Sequence, residues 1–218
     1  MKTEAEIIEA EFDILFDNLS YQRVDKLISK TPDFPNADYI NKRKTIIVEL
    51  KVLDKDFFKD GGVIESLQTI VTVPKKINKD GTGQYTFKLP KKNRNGIHDI
   101  LEEPLRRILK KANKQIKETN SRLLESKGKG FLVLAINMET SIDPTFIQQL
   151  TFNMLKKEFT SIDGVVFCTP KTGINRGDGI QPICLHCNDS HLTGEEFLEF
   201  KKIISGWCDF VDNGGHAK

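Results

Sequence analysis

The run Gly130-Phe131-Leu132-Val133-Leu134-Ala135-Ile136-Asn137 narrows the fold more than any other stretch. It is apolar without alternation, the pattern of a strand buried on both faces of a sheet. A second such run, Gly164-Val165-Val166-Phe167-Cys168, follows it. Between them Asp143-Pro144 puts a capping acid ahead of a proline at the first helical position, which opens a helix to about Lys157. Strand, helix and strand in that order predict a parallel crossover.

An earlier apolar run, Thr45-Ile46-Ile47-Val48, predicts a third strand that ends in Glu49-Leu50-Lys51. The stretch ending Asp38-Tyr39-Ile40 precedes it across a charged turn, Asn41-Lys42-Arg43-Lys44, and the two read as a β-hairpin. Alternation puts Glu49 and Lys51 on one strand face and Leu50 on the other. Closure around residues 41–44 makes paired positions sum to 85, so Asp38 faces Ile47 and Asn36 faces Glu49. Asp38 then shares a face with Glu49 one diagonal step away, roughly 6–8 Å between Cα atoms. Two carboxylates at that spacing can hold a hard divalent cation, Mg²⁺ or Mn²⁺, with Lys51 beside it. By the same count Asp33 pairs with Val52 and points to the opposite face unless a bulge shifts the register. Asp38 is therefore preferred as the ligand, with Asp33 its alternative.

Pro32-Asp33, or Ala37-Asp38, followed by Glu49-Leu50-Lys51 resembles the signature of the PD-(D/E)xK nuclease superfamily, the restriction-endonuclease-like phosphodiesterases. The resemblance covers about a tenth of the chain, and its weight comes from the apolar strand before the motif and the order of elements around it. It implies an α/β fold with a restriction-endonuclease-like core: a mixed β-sheet containing a catalytic hairpin and a βαβ crossover, flanked by helices. It implies a Mg²⁺-dependent endonuclease-type hydrolase acting on nucleic acid, most naturally DNA, with Asp38, Glu49 and Lys51 catalytic. Asp38, Glu49 and the backbone carbonyl of Leu50 would hold the metal. Some members add an acid from the first helix, and Glu11 is the candidate here. The alternative is an inactive nucleic-acid-binding or assembly subunit of the same fold.

Net charge is only +2 over 218 residues, so a nucleic-acid surface must come from local clustering. Two clusters stand out. Between positions 75 and 94, Lys75, Lys76, Lys79, Lys88, Lys91, Lys92 and Arg94 face Asp80 alone, within a basic insertion at about 52–98. That insertion includes an expected hairpin around Asp80-Gly81-Thr82-Gly83, with Tyr85-Thr86-Phe87 as its second strand. A long helix from about Asp99 or Pro104 to Ser126 then carries Arg106, Arg107, Lys110, Lys111, Lys114 and Lys117 with no acid among them. Arg107, Lys110, Lys111 and Lys114, with the earlier lysines and Arg94, are the expected phosphate contacts. Lys114 and Gln115 also lie where this helix would border the site.

The rest of the chain predicts helices over residues 4–19, Ser20 to Ser29, and Thr193 to about Trp207, the last opened by the capping box Thr193-Gly194-Glu195-Glu196. A further strand is expected over Gln181 to Asn188. All of it reads as one domain, 1–218. Four cysteines point to a reducing cytoplasm rather than a disulfide framework. Cys184, Cys187 and His191 lack the partner pairs that a structural zinc site requires, and buried cysteines are the preferred reading. No signal peptide or membrane span is expected. Sequence specificity would come from the insertion, from a homodimer, or from a partner protein.

Overall fold

Helix α1 (Glu4–Asn18) leads into the sheet. Thr3 caps it reciprocally: its hydroxyl accepts the Glu6 N–H at 3.2 Å, and the Glu6 carboxylate accepts the Thr3 N–H at 2.7 Å. The computed structural model describes residues 2–28, 33–53, 75–77, 83–85, 94–124, 128–136, 144–168, 174–175, 180–181 and 192–212. After α1, Ser20 takes a left-handed φ of 64° and the chain turns into β1 (Tyr21–Arg23), followed by the single turn α2 (Val24–Leu27). The helix expected from Ser20 is thus a strand and a short turn. The reason is tertiary: Tyr21 packs edge-on against Phe16 at 5.3 Å, and β1 finds an antiparallel partner.

That partner is β2 (Tyr39–Asn41), which pairs in turn with β3 (Ile46–Leu53). A separate small hairpin joins β4 (Lys75–Ile77) to β5 (Gly83–Tyr85), its second strand two residues earlier than expected. Helix α3 (Arg94–Leu123) follows, then β6 (Lys129–Ile136), α4 (Pro144–Glu158) and β7 (Gly164–Cys168). Two-residue strands β8 (Ile174–Asn175) and β9 (Ile180–Gln181) pair with each other, and α5 (Gly194–Asp212) ends the described chain. Most of the strand expected over 181–188, together with Cys184, Cys187 and His191, lies outside the described residues.

The main sheet has the order β1-β2-β3-β6-β7, antiparallel through β3 and parallel beyond it. This is an α/β protein built on a five-stranded mixed sheet flanked by helices. Alternation along β3 sorts the two cores. Ile46, Val48 and Leu50 pack with Ile8, Phe12, Phe16 and Trp207 of α1 and α5. Ile47 and Leu53 pack with Leu105, Leu109, Ile116 and Ile147 of α3 and α4. Each such side chain removed from water contributes about 1.5–3 kcal/mol.

Helix α3 begins ten residues before Pro104, which lies inside it. Proline in a helix interior costs about 3 kcal/mol through its missing N–H and its clash with the preceding turn. Two i,i+4 ion pairs straddle it and hold both sides helical: Arg106 with Glu102 at 2.7 Å and Arg107 with Glu103 at 2.9 Å. Among the described residues no helix is long and apolar enough to cross a membrane.

Candidate active site

The hairpin closes one residue later than expected. Tyr39 lies opposite Val48 and Ile40 opposite Ile47, so paired positions sum to 87 rather than 85. Asn41 causes the shift. Its Oδ1 accepts the N–H groups of Thr45 at 2.8 Å and Ile46 at 3.1 Å, and its Nδ2 donates to Thr45 Oγ1 at 3.0 Å. That cap draws Asn41 into the strand and moves the loop on by one residue, where Lys44 takes a left-handed φ of 53°. Every face is preserved, because a change of two in the sum keeps side-chain parity. The same register carried one residue further sets Asp38 directly opposite Glu49, closer than the expected diagonal.

Beyond that point the strands part. In a continued ladder Ala37 and Leu50 would exchange backbone hydrogen bonds. Instead Leu50 N–H donates to Asp38 Oδ2 at 2.8 Å, and Ala37 N–H donates to Thr119 Oγ1 at 2.8 Å. Gln115 Nε2 donates to the Asn36 carbonyl at 2.8 Å, so α3 holds the departing chain by two side chains. N–H and C=O of one strand residue point to the same side, so the Leu50 carbonyl faces the Asp38 side and is not claimed by Ala37. The hairpin is a fork, with Asp38 and Glu49 where it opens.

Glu49 is fully buried, and its Oε1 accepts from the Lys51 ammonium. Its Oε2 is buried with no hydrogen-bond partner among the described residues. Burial and then the neighbouring Asp38 charge push the Glu49 carboxyl up to about 8, while Lys51 opposes the shift. Burial likewise raises Asp38, against the pull of the Leu50 N–H, Lys51 and Arg23. The two acids cannot both ionise comfortably and share a side-chain hydrogen bond through one proton, which a bound cation would replace. Asp38, Glu49 and the Leu50 carbonyl supply only hard oxygen donors, the kind that Mg²⁺ and Mn²⁺ take. The residues present fit such an ion.

The α3 helix brings further groups to the face of the sheet that carries Glu49. Gly130 packs so closely on Ile116 that an added Cβ would lie 2.3 Å from its Cγ2, and Gly130 pairs with Ile47. Gln115 reaches the open end of the hairpin, where its Nε2 holds the Asn36 carbonyl. Gln115 Oε1 is buried there without a hydrogen-bond partner among the described residues. Lys111, four residues from Gln115, shares its flank and is exposed.

Other expected site residues fall elsewhere. Asp33 is turned outward, 86% exposed and 3.8 Å from Arg122, and takes no part in the carboxylate pair. Glu11 is buried on α1, which packs against the face of β3 opposite Glu49. Arg107 is tied to Glu103, and Arg106 bridges Glu102 and Glu158, whereas Lys110, Lys111, Lys114 and Lys117 are exposed. Lys75 and Lys76 lie on β4 and Arg94 opens α3. Lys88, Lys91 and Lys92 lie outside the described residues. The sequence reading missed Thr119 and Asn41 as site-shaping residues. A threonine within the apolar stripe of α3 was the available signal for the first, and an asparagine at a hairpin turn for the second. No family model, curated protein or solved structure matches the chain, so the function must be argued from this geometry.

Proposed function

We propose that the chain is a divalent-metal-dependent nuclease with a restriction-endonuclease-like core. The observation that carries this is the convergence of Asp38, Glu49 and Lys51 at the hairpin fork, with the Leu50 carbonyl released toward the same side. Phosphodiester hydrolysis requires charge neutralisation at phosphate, an activated water and a stabilised leaving oxygen. Asp38, Glu49 and the Leu50 carbonyl would hold Mg²⁺ or Mn²⁺. When bound, the ion supplies a Lewis acid for a phosphate oxygen and eases ionisation of water.

The chain's own residues account for the rest. The Lys51 ammonium, paired to Glu49 and 19% exposed, is placed to stabilise negative charge growing on the phosphate. Gln115 Oε1 offers an acceptor that orients a water at the open end of the hairpin, its amide fixed by the bond to Asn36. Lys111 and Lys114 hold the nucleic-acid backbone along α3 without reading bases. DNA is the substrate favoured by this reading.

The test is cleavage of plasmid and labelled duplex with Mg²⁺ or Mn²⁺. Wild type cuts, Glu49→Ala loses at least about a thousandfold in rate, and Lys51→Ala retains binding but loses turnover. Equal cleavage by wild type and Glu49→Ala would leave a nucleic-acid-binding subunit without chemistry at this fork.

A further inference from the structure

Every phenylalanine, tyrosine and tryptophan whose surroundings are described packs in one of the two cores, except Phe34, which belongs to neither. Phe34 is half-buried, and among the described residues its one aromatic or cation contact is the Arg122 guanidinium, 4.8 Å from the ring centre. Asp33 and Glu118 each lie 3.8 Å from an Arg122 nitrogen. They match its charge, so the pair offers a flat face rather than a free cation. The chain beneath the ring is pinned. Pro35 locks its own φ and narrows that of Phe34. The Asn36 carbonyl accepts from Gln115, and the Ala37 N–H donates to Thr119. The ring is thus presented from a fixed segment, at most about 14 Å of chain from Asp38. Aromatic rings and guanidinium planes at a surface are what nucleobases stack on.

We propose that the Phe34 ring, backed by Arg122, stacks an unpaired base of the substrate strand, so that the form bound is single-stranded DNA or a duplex with unpaired nucleotides beside the scissile bond. Stacking decides between forms. In continuous duplex each base is covered on both faces by its neighbours, whereas an unpaired base offers a face without breaking the stack. The placement along α3 agrees. Lys111, Gln115, Glu118 and Arg122 recur at helical spacing and fall on one flank. Lys111 is exposed at one end of it, and Arg122 stands about 16 Å along the helix at the other. Between them Gln115 holds the open end of the hairpin through Asn36. A strand whose phosphate meets Lys111 can therefore cross that opening and set a base on Phe34. The proposal rests on the nucleic-acid reading of the fork and names the form of nucleic acid, but it does not require cleavage.

Binding of the full chain is measured with a metal chelator present, so the readout is independent of cleavage. The probes are a labelled DNA oligonucleotide as a single strand and the same strand in a blunt duplex. Phe34→Ala is expected to weaken single-strand binding about tenfold and to leave duplex binding unchanged. Its salt dependence stays that of the wild type, because the ring meets no phosphate. Phe34→Trp keeps the affinity, and its indole fluorescence is quenched by the single strand and not by the duplex. The chain's own tryptophan, Trp207, is 2% exposed and does not report. Phe34 lies outside both cores, so these variants keep the fold, as circular dichroism checks. Wild-type affinity in Phe34→Ala, an equal loss for both probes, or an indole that the single strand leaves unquenched would each overturn the platform while leaving cleavage to stand on Glu49→Ala. Absence of cleavage with the Phe34 effect intact would instead support a module that binds single strands without cutting them.

Discussion

The two ends of the β2–β3 hairpin use polar side chains to opposite effect. At the tip, one asparagine caps the loop: Asn41 accepts two N–H groups, from Thr45 and Ile46, and donates to the Thr45 hydroxyl. At the fork, a buried Glu49 faces a half-buried Asp38, both are displaced toward the protonated form, and Glu49 Oε2 has no donor among the described residues beyond a proton shared with Asp38. Buried polar groups are ordinarily paired, and an exception costs about 1–3 kcal/mol. The tip is polar chemistry spent on structure. The fork holds polar chemistry that the fold alone does not need, as expected of a site that trades stability for binding.

The largest effect that would sharpen this contrast is on the pH dependence of stability. A carboxyl raised from 4.5 to about 8 in the folded state contributes stability that is fully present below about pH 4.5 and lost as pH rises through 8. The metal-free protein should therefore weaken between pH 5 and pH 8. Glu49→Gln should flatten that slope and raise stability at pH 8 by about 1–3 kcal/mol, read from urea denaturation at several pH values. An unchanged slope would show that the fork carries no such burden.

Next in size is Thr119→Val, which leaves the Ala37 N–H without its acceptor. It should cost about 1–3 kcal/mol and weaken Mn²⁺ binding measured by calorimetry, because the fork loses one of its two holds on the departing chain. Undiminished Mn²⁺ affinity would mean that the opening does not depend on α3. Asn41→Ala should cost about 1–2 kcal/mol in the same denaturation assay while leaving Mn²⁺ affinity alone, since its bonds are all at the tip. The smallest effect is Lys111→Gln, expected to lower the salt dependence of duplex binding by about one counterion and leave denaturation untouched.

Much of the site was legible because strand alternation is a strict period of two. Glu49 and Lys51 share a face whatever the loop does, and the register error of two left Asp38 on that face as well. The loop is harder to read, because its position, one residue later at the same length, depends on a side-chain cap rather than on charge or turn propensity. Arg107 reads from the sequence as a phosphate contact, and the structure adds an exposed ion pair to Glu103. Glu102 and Glu103 stand four residues ahead of Arg106 and Arg107, a spacing that was readable once the helix was known to pass through Pro104. Glu11 fits the apolar stripe of α1, but the stripe does not say which face of the sheet that helix covers.

Periodicity and apolar runs alone therefore specify the strands, the crossover and the shared face of the two acids, since each follows from spacing within a few residues. The parting of the strands does not. It rests on hydrogen bonds from Ala37 to Thr119 and from Gln115 to Asn36, between residues 82 and 79 positions apart. No local pattern encodes contacts at that distance. They exist because β3 and β6 pair in parallel and α3 must lie across both, which brings one helix flank against a strand end and turns a plain hairpin into a fork.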